Sequence, residues 1–587
     1  MREDKVTLRS YWRPGRDEIV AANGMVTAME APAAEAGLEV LKRGGNAVDA
    51  AVAIGFCNVV LEPFMATIGG MGYMLVHLAK EGRTVAIDFN GRAPRKAHPD
   101  MFKVTGPAEA GGYHIFDVED DAQNQGPLCV TVPGLCAGLC EAHQRFGTMP
   151  LEELMEPAIH LASAGFEAGW HVTLYAANDW EALNLDHYLA EMWLPGGHAP
   201  RSYEGSGDRI VQKDLGDLLK RIAREGPDGM YRGEVAEAID EFMRQNGGIL
   251  TRQDLADYRP LVTEPISVPF HGHTIKAVPT PSGALTNLQT YRILDNFDLG
   301  GLGHNTVDYL NVFIQSARHA FADRYRYLGD SDFIPVPLQG LLSPEYNREL
   351  ARKVNLRTAG PAVDQMLEPW VHYLNQGLHD PWQYDPAGPP EVIFHPARDT
   401  NEESTTHFNV VDRDRNAVSC THTGVFTAGA NPPNTGVYLV GGMGWFIPRA
   451  GYANSIAGWK RPLNNMCPTM VFRDGRPVLL QGAPGARRIM NRGVQVVTNV
   501  IVFGMGPQEA ISQPTVDVSG KDTLVNARMS DEVVGGLRRL GHHVELIEEQ
   551  PAMTGAFSRP SAITIDYETG LLRAGVDAFR PTMAAGY

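Results

Sequence analysis

The stretch Glu402-Glu403-Ser404-Thr405-Thr406-His407-Phe408-Asn409-Val410-Val411-Asp412 decides how the rest of the chain is read. Upstream, residues 377–401 form a polar, proline-rich run without apolar periodicity, which reads as a linker reaching to 404. Downstream, residues 407–411 alternate as a strand does. A charged turn follows, Asp412-Arg413-Asp414-Arg415-Asn416, and residues 417–423 read as a second strand. A flexible segment that ends at a threonine heading a buried strand has the pattern of a cut site. Cleavage of the Ser404–Thr405 bond would leave Thr405 with a hydroxyl nucleophile and a free α-amine, and an adjacent amine is one way to activate a threonine. The same two threonines also suit an ordinary strand start, because β-branched residues favour strands. The rest of the chain has to discriminate.

Length and charge narrow the field. A chain of 587 residues buries a substantial core. Its net charge of −18, from 51 basic and 69 acidic residues, argues against nucleic acid and against an anionic membrane surface as partners. The longest apolar run, 47–61, is interrupted by Asp49 and Asn58 and falls short of the roughly 18–20 residues a spanning helix needs. The first residues, Met1-Arg2-Glu3-Asp4-Lys5, lead into charged sequence without the apolar region of a secretory signal, so a cytoplasmic protein is expected. Six scattered cysteines suit reduced thiols rather than a disulfide framework. Cys136 and Cys140 are four apart on a helical pattern but lack a partner pair, and no metal or cofactor is expected.

Along the chain, 33–43 reads as a helix stopped by Gly44-Gly45, and 46–61 as a helix apolar all round and therefore buried on every side. The run Gly69-Gly70-Met71-Gly72 lacks the spacing of a dinucleotide fingerprint and instead opens a strand, 73–78, that pairs with 84–89. Helical patterns follow at 137–164, 215–224 and 235–246. A strand pair at 266–278 turns at His271-Gly272-His273, and a long amphipathic helix covers 306–327. Strands dominate the C-terminal part: 436–440, 469–472, 477–480, 522–525, 543–546, 561–566 and 571–576, with a helix near 494–503. Interleaved strands and helices in both parts predict a layered fold with sheets in the middle.

Several ordered motifs then carry a resemblance. Gly44-Gly45-Asn46-Ala47-Val48-Asp49-Ala50-Ala51, Val132-Pro133-Gly134, Ala320-Phe321-Ala322-Asp323-Arg324 and Leu328-Gly329-Asp330 come first. Thr405-Thr406-His407-Phe408, Lys460-Arg461-Pro462-Leu463, Gly482-Ala483-Pro484-Gly485 and Ala585-Gly586-Tyr587 complete the series. Together they resemble the γ-glutamyltranspeptidase family of N-terminal-nucleophile (Ntn) hydrolases over nearly the whole length. The resemblance implies an α+β fold, the four-layer αββα sandwich, built from both parts of a self-cleaved precursor: 1–404 as large subunit and 405–587 as small subunit. It implies Thr405 as nucleophile with its α-amine as base, Thr423 supporting it, and the N–H groups of Gly485 and Ala486 as oxyanion hole. The substrate would be a small-molecule amide and no cofactor is implied; the oligomeric state stays open.

The substrate-binding positions depart from that family. Where it carries an arginine for the γ-glutamyl carboxylate this chain has Asn90, with Arg92 the nearest arginine. An asparagine becomes Val425, a glutamine and an aspartate become Gly442 and Trp445, and paired serines become Asn464 and Asn465. The second glycine of the oxyanion loop is Ala486, and Arg487 follows it. Loss of the aspartate removes a partner for a substrate ammonium, and an unpaired buried charge costs several kcal/mol. Arg487 is a candidate fork for a carboxylate. The expectation is an amidohydrolase for a carboxylate-bearing acyl group without an α-ammonium. A true glutathione hydrolase or γ-glutamyltransferase is the alternative, with an uncleaved binding or scaffold protein as a third reading.

Overall fold

The computed structural model describes residues 15–107, 116–202, 207–360, 405–520, 522–550 and 557–587. The expected linker 377–404, with Ser404, lies outside these residues.

Two seven-stranded antiparallel sheets form the centre. In the first, the order is Met583–Gly586, Met25–Ala28, Thr406–Val411, Ala417–Thr423, Met71–Leu78, Arg83–Phe89 and Leu261–Thr263. In the second it is Ile19–Ala21, Leu572–Val576, Ser561–Ile565, Arg476–Gly482, Thr469–Arg473, His273–Ala277 and Ile266–Phe270. Each sheet joins strands from before and after residue 405, so both halves of the chain build one fold.

Strand alternation explains the layering. On Thr406–Val411, Phe408 and Val410 point outward into a core shared with the helices Ala31–Lys42, Ala47–Leu61 and Leu135–Phe146. Val411 points the other way and joins Met71, Tyr73, Leu75, Met470, Leu480 and Ile563 between the sheets. The outer face of the second sheet packs Val471 and Leu479 against the helices Ala284–Leu294, Val307–Tyr327 and Arg488–Ile501. The result is helix, sheet, sheet, helix, the αββα sandwich. The helix Ala47–Leu61 is buried at every residue, as its apolar residues on all faces require, with Asp49 and Asn58 buried among them. Its N-terminus carries a capping box of Asn46 and Asp49.

One expected strand is absent. Residues 436–440 join no sheet, and their polar groups are satisfied singly. Leu439 bridges Gly69 on one side and Ala430 on the other, and the Thr67 hydroxyl donates to the Tyr438 carbonyl at 2.8 Å. Conversely, the wholly buried core of the helix Ala284–Leu294 was not anticipated, because Thr286, Asn287, Gln289 and Thr290 hide the apolar stripe.

Candidate active site

Thr405 immediately precedes the strand Thr406–Val411, whose register pairs Thr406 with His422 and His407 with Thr421. Continuing that register places Thr405 opposite Thr423, and the Thr405 hydroxyl donates to the Thr423 oxygen at 3.3 Å. Both side chains are buried. The hairpin closes on Asp412, which accepts from the amides of Asp414 and Asn416 at 2.9 Å each, so the charged turn sets this register.

Below the threonine pair the inter-sheet face is polar. His407 meets Thr421 at 2.8 Å and Asn409 at 3.1 Å, and Asn409 donates to the Ser561 carbonyl at 3.2 Å. Burial pushes His407 down to about 3, so its ring is neutral at ordinary pH. His422 faces the helix layer beside Phe408, with ring centroids 5.8 Å apart, and burial likewise pushes it to about 3. Neither imidazole is arranged as a base for Thr405.

The loop after the strand Arg476–Gly482 leads into the helix Arg488–Ile501. Gly485 has φ +127° and Ala486 φ +55°, and among the described residues neither amide donates to a main-chain oxygen. The Gly485 backbone lies against Ser558, where an added Cβ would stand 2.6 Å from the Ser558 Cα. Ser558 Oγ and the Arg559 amide both hold the Pro484 carbonyl, at 2.5 and 3.1 Å. A loop with two main-chain donors at the head of a 14-residue helix has the polarity to receive negative charge.

The remaining candidate positions divide. Thr423 pairs across its sheet with Met71, whose sulfur accepts from the Gly91 amide at 3.4 Å and lies 4.0 Å from the Asn464 amide nitrogen. A Cβ on Gly442 would meet Thr131 Oγ1 at 2.4 Å and the Met71 methyl at 2.7 Å, so no larger side chain fits there. Asn90 donates to the Pro462 carbonyl at 2.9 Å. Gly442 and Asn464, with Gly91 next to Asn90, thus gather around Met71, the cross-strand partner of Thr423. Trp445, Asn465 and Arg487 line a neighbouring cleft of about 50 Å³ together with Arg324, Tyr325 and Leu463. Arg92 is elsewhere: it donates to the Trp459 carbonyl at 2.9 Å, with its guanidinium 5.5 Å from the Trp459 ring centroid. Val425 is half-buried in the turn after Thr423, its carbonyl accepting from the Ala428 amide.

The segment 460–465 that carries Asn464 and Asn465 is anchored by a buried charge cluster. Arg461 reaches Asp88 at 2.6 Å and Asp330 through its Nε at 3.1 Å, and its own amide donates to Asp330 at 2.8 Å. Burial pushes Asp330 up, but the hydrogen bonds and charge of Arg461 outweigh it and hold that carboxyl below the usual range.

Comparison with known proteins identifies the family. The Gamma-glutamyltranspeptidase family model matches residues 33–587. The chain belongs to the γ-glutamyltranspeptidase family. It is therefore a threonine-type Ntn hydrolase, an enzyme acting on amide bonds. It is 34% identical over 520 residues to the glutathione hydrolase proenzyme of Escherichia coli, covering 84% of this chain and 80% of that protein. It is equally similar, 34% over 526 residues, to the acylase ACY 1 proenzyme of Pseudomonas sp. strain SE83, covering 89% and 87%. The crystal structure of a cephalosporin acylase from Bacillus halodurans superposes with a TM-score of 0.81 at 25% identity, over 100% of this chain and 99% of the other. Family members thus include glutathione hydrolases and acylases at equal distance, so similarity alone does not choose the acyl group.

Sequence reading gave no role to Arg324 or Tyr325, although Arg324 closes one of the quoted motifs. The available signal was a charged residue on a long helix, Val307–Tyr327, that is buried along most of its length.

Proposed function

We propose that the chain is a proenzyme that cuts itself before Thr405, giving large and small subunits 1–404 and 405–587, and then hydrolyses the amide of a carboxylate-bearing acyl group. Both the glutathione hydrolase and the acylase relatives are proenzymes, which supports the cut. In this mechanism Thr405 Oγ1 attacks the amide carbonyl while its α-amine takes the hydroxyl proton. The oxyanion is received by the Gly485 and Ala486 N–H groups, each such donor lowering the barrier by about 3–4 kcal/mol. The protonated α-amine returns its proton to the leaving amine as the C–N bond breaks, leaving a threonyl ester. Water, deprotonated by the same amine, cleaves the ester and frees the acid. Thr423 keeps the nucleophile oriented through the 3.3 Å hydroxyl contact.

The observation that carries the acyl assignment is the joint change at Asn90, Gly442 and Trp445. These positions offer no carboxylate for a substrate ammonium, while Arg487 stands in the cleft beside the oxyanion loop. Kinetics on γ-glutamyl-p-nitroanilide beside the des-amino glutaryl analogue test it: the glutaryl compound is expected to be preferred, and a strong preference for the γ-glutamyl compound refutes the assignment. That second outcome is the glutathione-hydrolase reading, which similarity to the E. coli enzyme favours. Self-cleavage is read separately on a denaturing gel, where the parent should give two bands and Thr405→Ala one.

A further inference from the structure

Arg324 stands on the helix Val307–Tyr327 with only 3% of its surface exposed, and it lines the cleft beside Trp445 and Arg487. A guanidinium buried this deeply ordinarily faces a carboxylate, because an uncompensated buried charge costs several kcal/mol. Arg324 instead has neutral partners. Its Nη2 donates to the Asn464 carbonyl at 2.9 Å and to Asn465 Oδ1 at 2.7 Å, and its Nη1 is buried with no hydrogen-bond partner among the described residues. The neighbouring acid does not serve it: Asp323 is held by Tyr346 and Gln289. No described carboxylate lies within ion-pair distance of Arg324, whereas the buried Arg461 and Arg559 are each paired with acids. Arg487 lines the same cleft, its Nη1 donating to the Tyr325 hydroxyl at 3.2 Å, and burial together with this neighbouring charge contributes to pulling Arg324 down to about 10.

We propose that Arg324 is the specificity-determining cation of the acyl pocket, its unpartnered Nη1 completing a charge-assisted hydrogen bond with the distal carboxylate of the substrate's acyl group. The placement fits a short dicarboxylic half-amide. Asn464, which accepts from Arg324, also reaches Met71, and Met71 pairs with Thr423 beside the nucleophile. The segment that holds Arg324 is thus linked, through the Asn464 main chain and side chain and the strand carrying Met71, to the strand that ends in Thr423. The apolar walls Trp445, Ile447 and Leu463 suit a methylene chain and offer no acid to an α-ammonium. A carboxylate reaching Arg324 leaves water for a site where its charge is matched, and this gain is absent for an uncharged acyl group.

This inference rests on the carboxylate-bearing acyl reading above, and the experiment separates the two. Glutaryl-p-nitroanilide and valeryl-p-nitroanilide differ only in the distal carboxylate. In the parent enzyme the glutaryl compound is expected to have a kcat/KM at least 100-fold higher; equal rates would overturn both readings. The decisive variant is Asn465→Asp, which puts a permanent carboxylate 2.7 Å from Arg324 without changing side-chain size, and so tolerates folding by adding an ion pair rather than removing one. It should reduce the glutaryl-to-valeryl ratio at least tenfold, chiefly through KM for the glutaryl compound. Arg324→Lys, which keeps the charge but loses the fork, should lower the ratio less than Arg324→Gln. Self-cleavage and thermal unfolding report whether each variant is folded. A parent that prefers glutaryl, with an Asn465→Asp variant that is folded and retains the full preference, would refute the role of Arg324 and leave the acyl assignment standing.

Discussion

Substituting Gly485 by alanine tests the oxyanion loop most directly. The new Cβ would lie 2.6 Å from Ser558 Cα and 2.8 Å from Ser558 Cβ. Carbon contacts are comfortable near 3.5–4.0 Å, so the two segments must separate by roughly 1 Å. The obstacle is main chain and cannot rotate away. The segments are also tied together, because Ser558 Oγ and the Arg559 amide both donate to the Pro484 carbonyl, at 2.5 and 3.1 Å. A 1 Å opening breaks both bonds, each contributing about 1 kcal/mol net. The φ of +127° adds the left-handed penalty of about 1–2 kcal/mol for a residue with a Cβ. Stability should therefore fall by about 3–4 kcal/mol, and displacement of the Gly485 N–H should lower kcat by about 10²–10³-fold. Gly475→Ala is the control: Gly475 has φ +76° in an exposed hairpin turn with nothing within 4 Å of the added atom, so it carries the backbone penalty without the clash. Chemical denaturation and steady-state hydrolysis of whichever p-nitroanilide the parent prefers give the two readouts, with self-cleavage followed on a gel. A cleaved Gly485→Ala enzyme with kcat within threefold of the parent would refute the assignment of this amide to the oxyanion.

Three further outcomes follow from the geometry. Thr423→Val removes the hydroxyl 3.3 Å from Thr405 while keeping the β-branched shape; kcat should drop about tenfold with KM little changed, and an unaltered kcat would show that the contact is incidental. Asp330→Asn strips one partner from buried Arg461 and should cost about 3 kcal/mol by denaturant titration, the low end for a broken buried pair because Asp88 remains; a loss under 1 kcal/mol contradicts the anchoring role. His422, pushed by burial to about 3, has a folded-state pKa below its unfolded value of about 6.5, so its stabilising contribution is complete above pH 6.5 and is lost as pH falls toward 3. Both of its ring nitrogens are buried without hydrogen-bond partners among the described residues, so His422→Leu should flatten the fall in stability between pH 6 and 4 by about 1.4 kcal/mol per pH unit; an unchanged slope would place the acid sensitivity elsewhere.

Much of the fold was legible because its central elements obey local rules. The hairpin 407–423 declared itself through period-2 alternation and a polar turn, and the helix Ala47–Leu61 through an apolar run on all faces. The strand expected at 436–440 failed because composition specifies an extended backbone but not the neighbour it needs; Leu439 found only single bridges. The same limit applied to the site. Arg92 and Arg487 looked alike as candidate anchors, yet Arg92 is engaged by Trp459 while Arg487 enters the cleft.

The sequence by itself determined the type of catalyst: ordered motifs, a threonine heading a strand, and a glycine loop before a helix are local patterns whose chemistry follows from residue type and spacing. Only the tertiary structure decided which charges meet. Arg324 and Asn465 are 141 residues apart, and nothing in either segment tells that a buried guanidinium ends on an amide oxygen rather than an acid. Charge compensation is a property of space, fixed by which side chains the packed sheets and helices bring within a few ångströms, and that is where the preference for an acyl group is written.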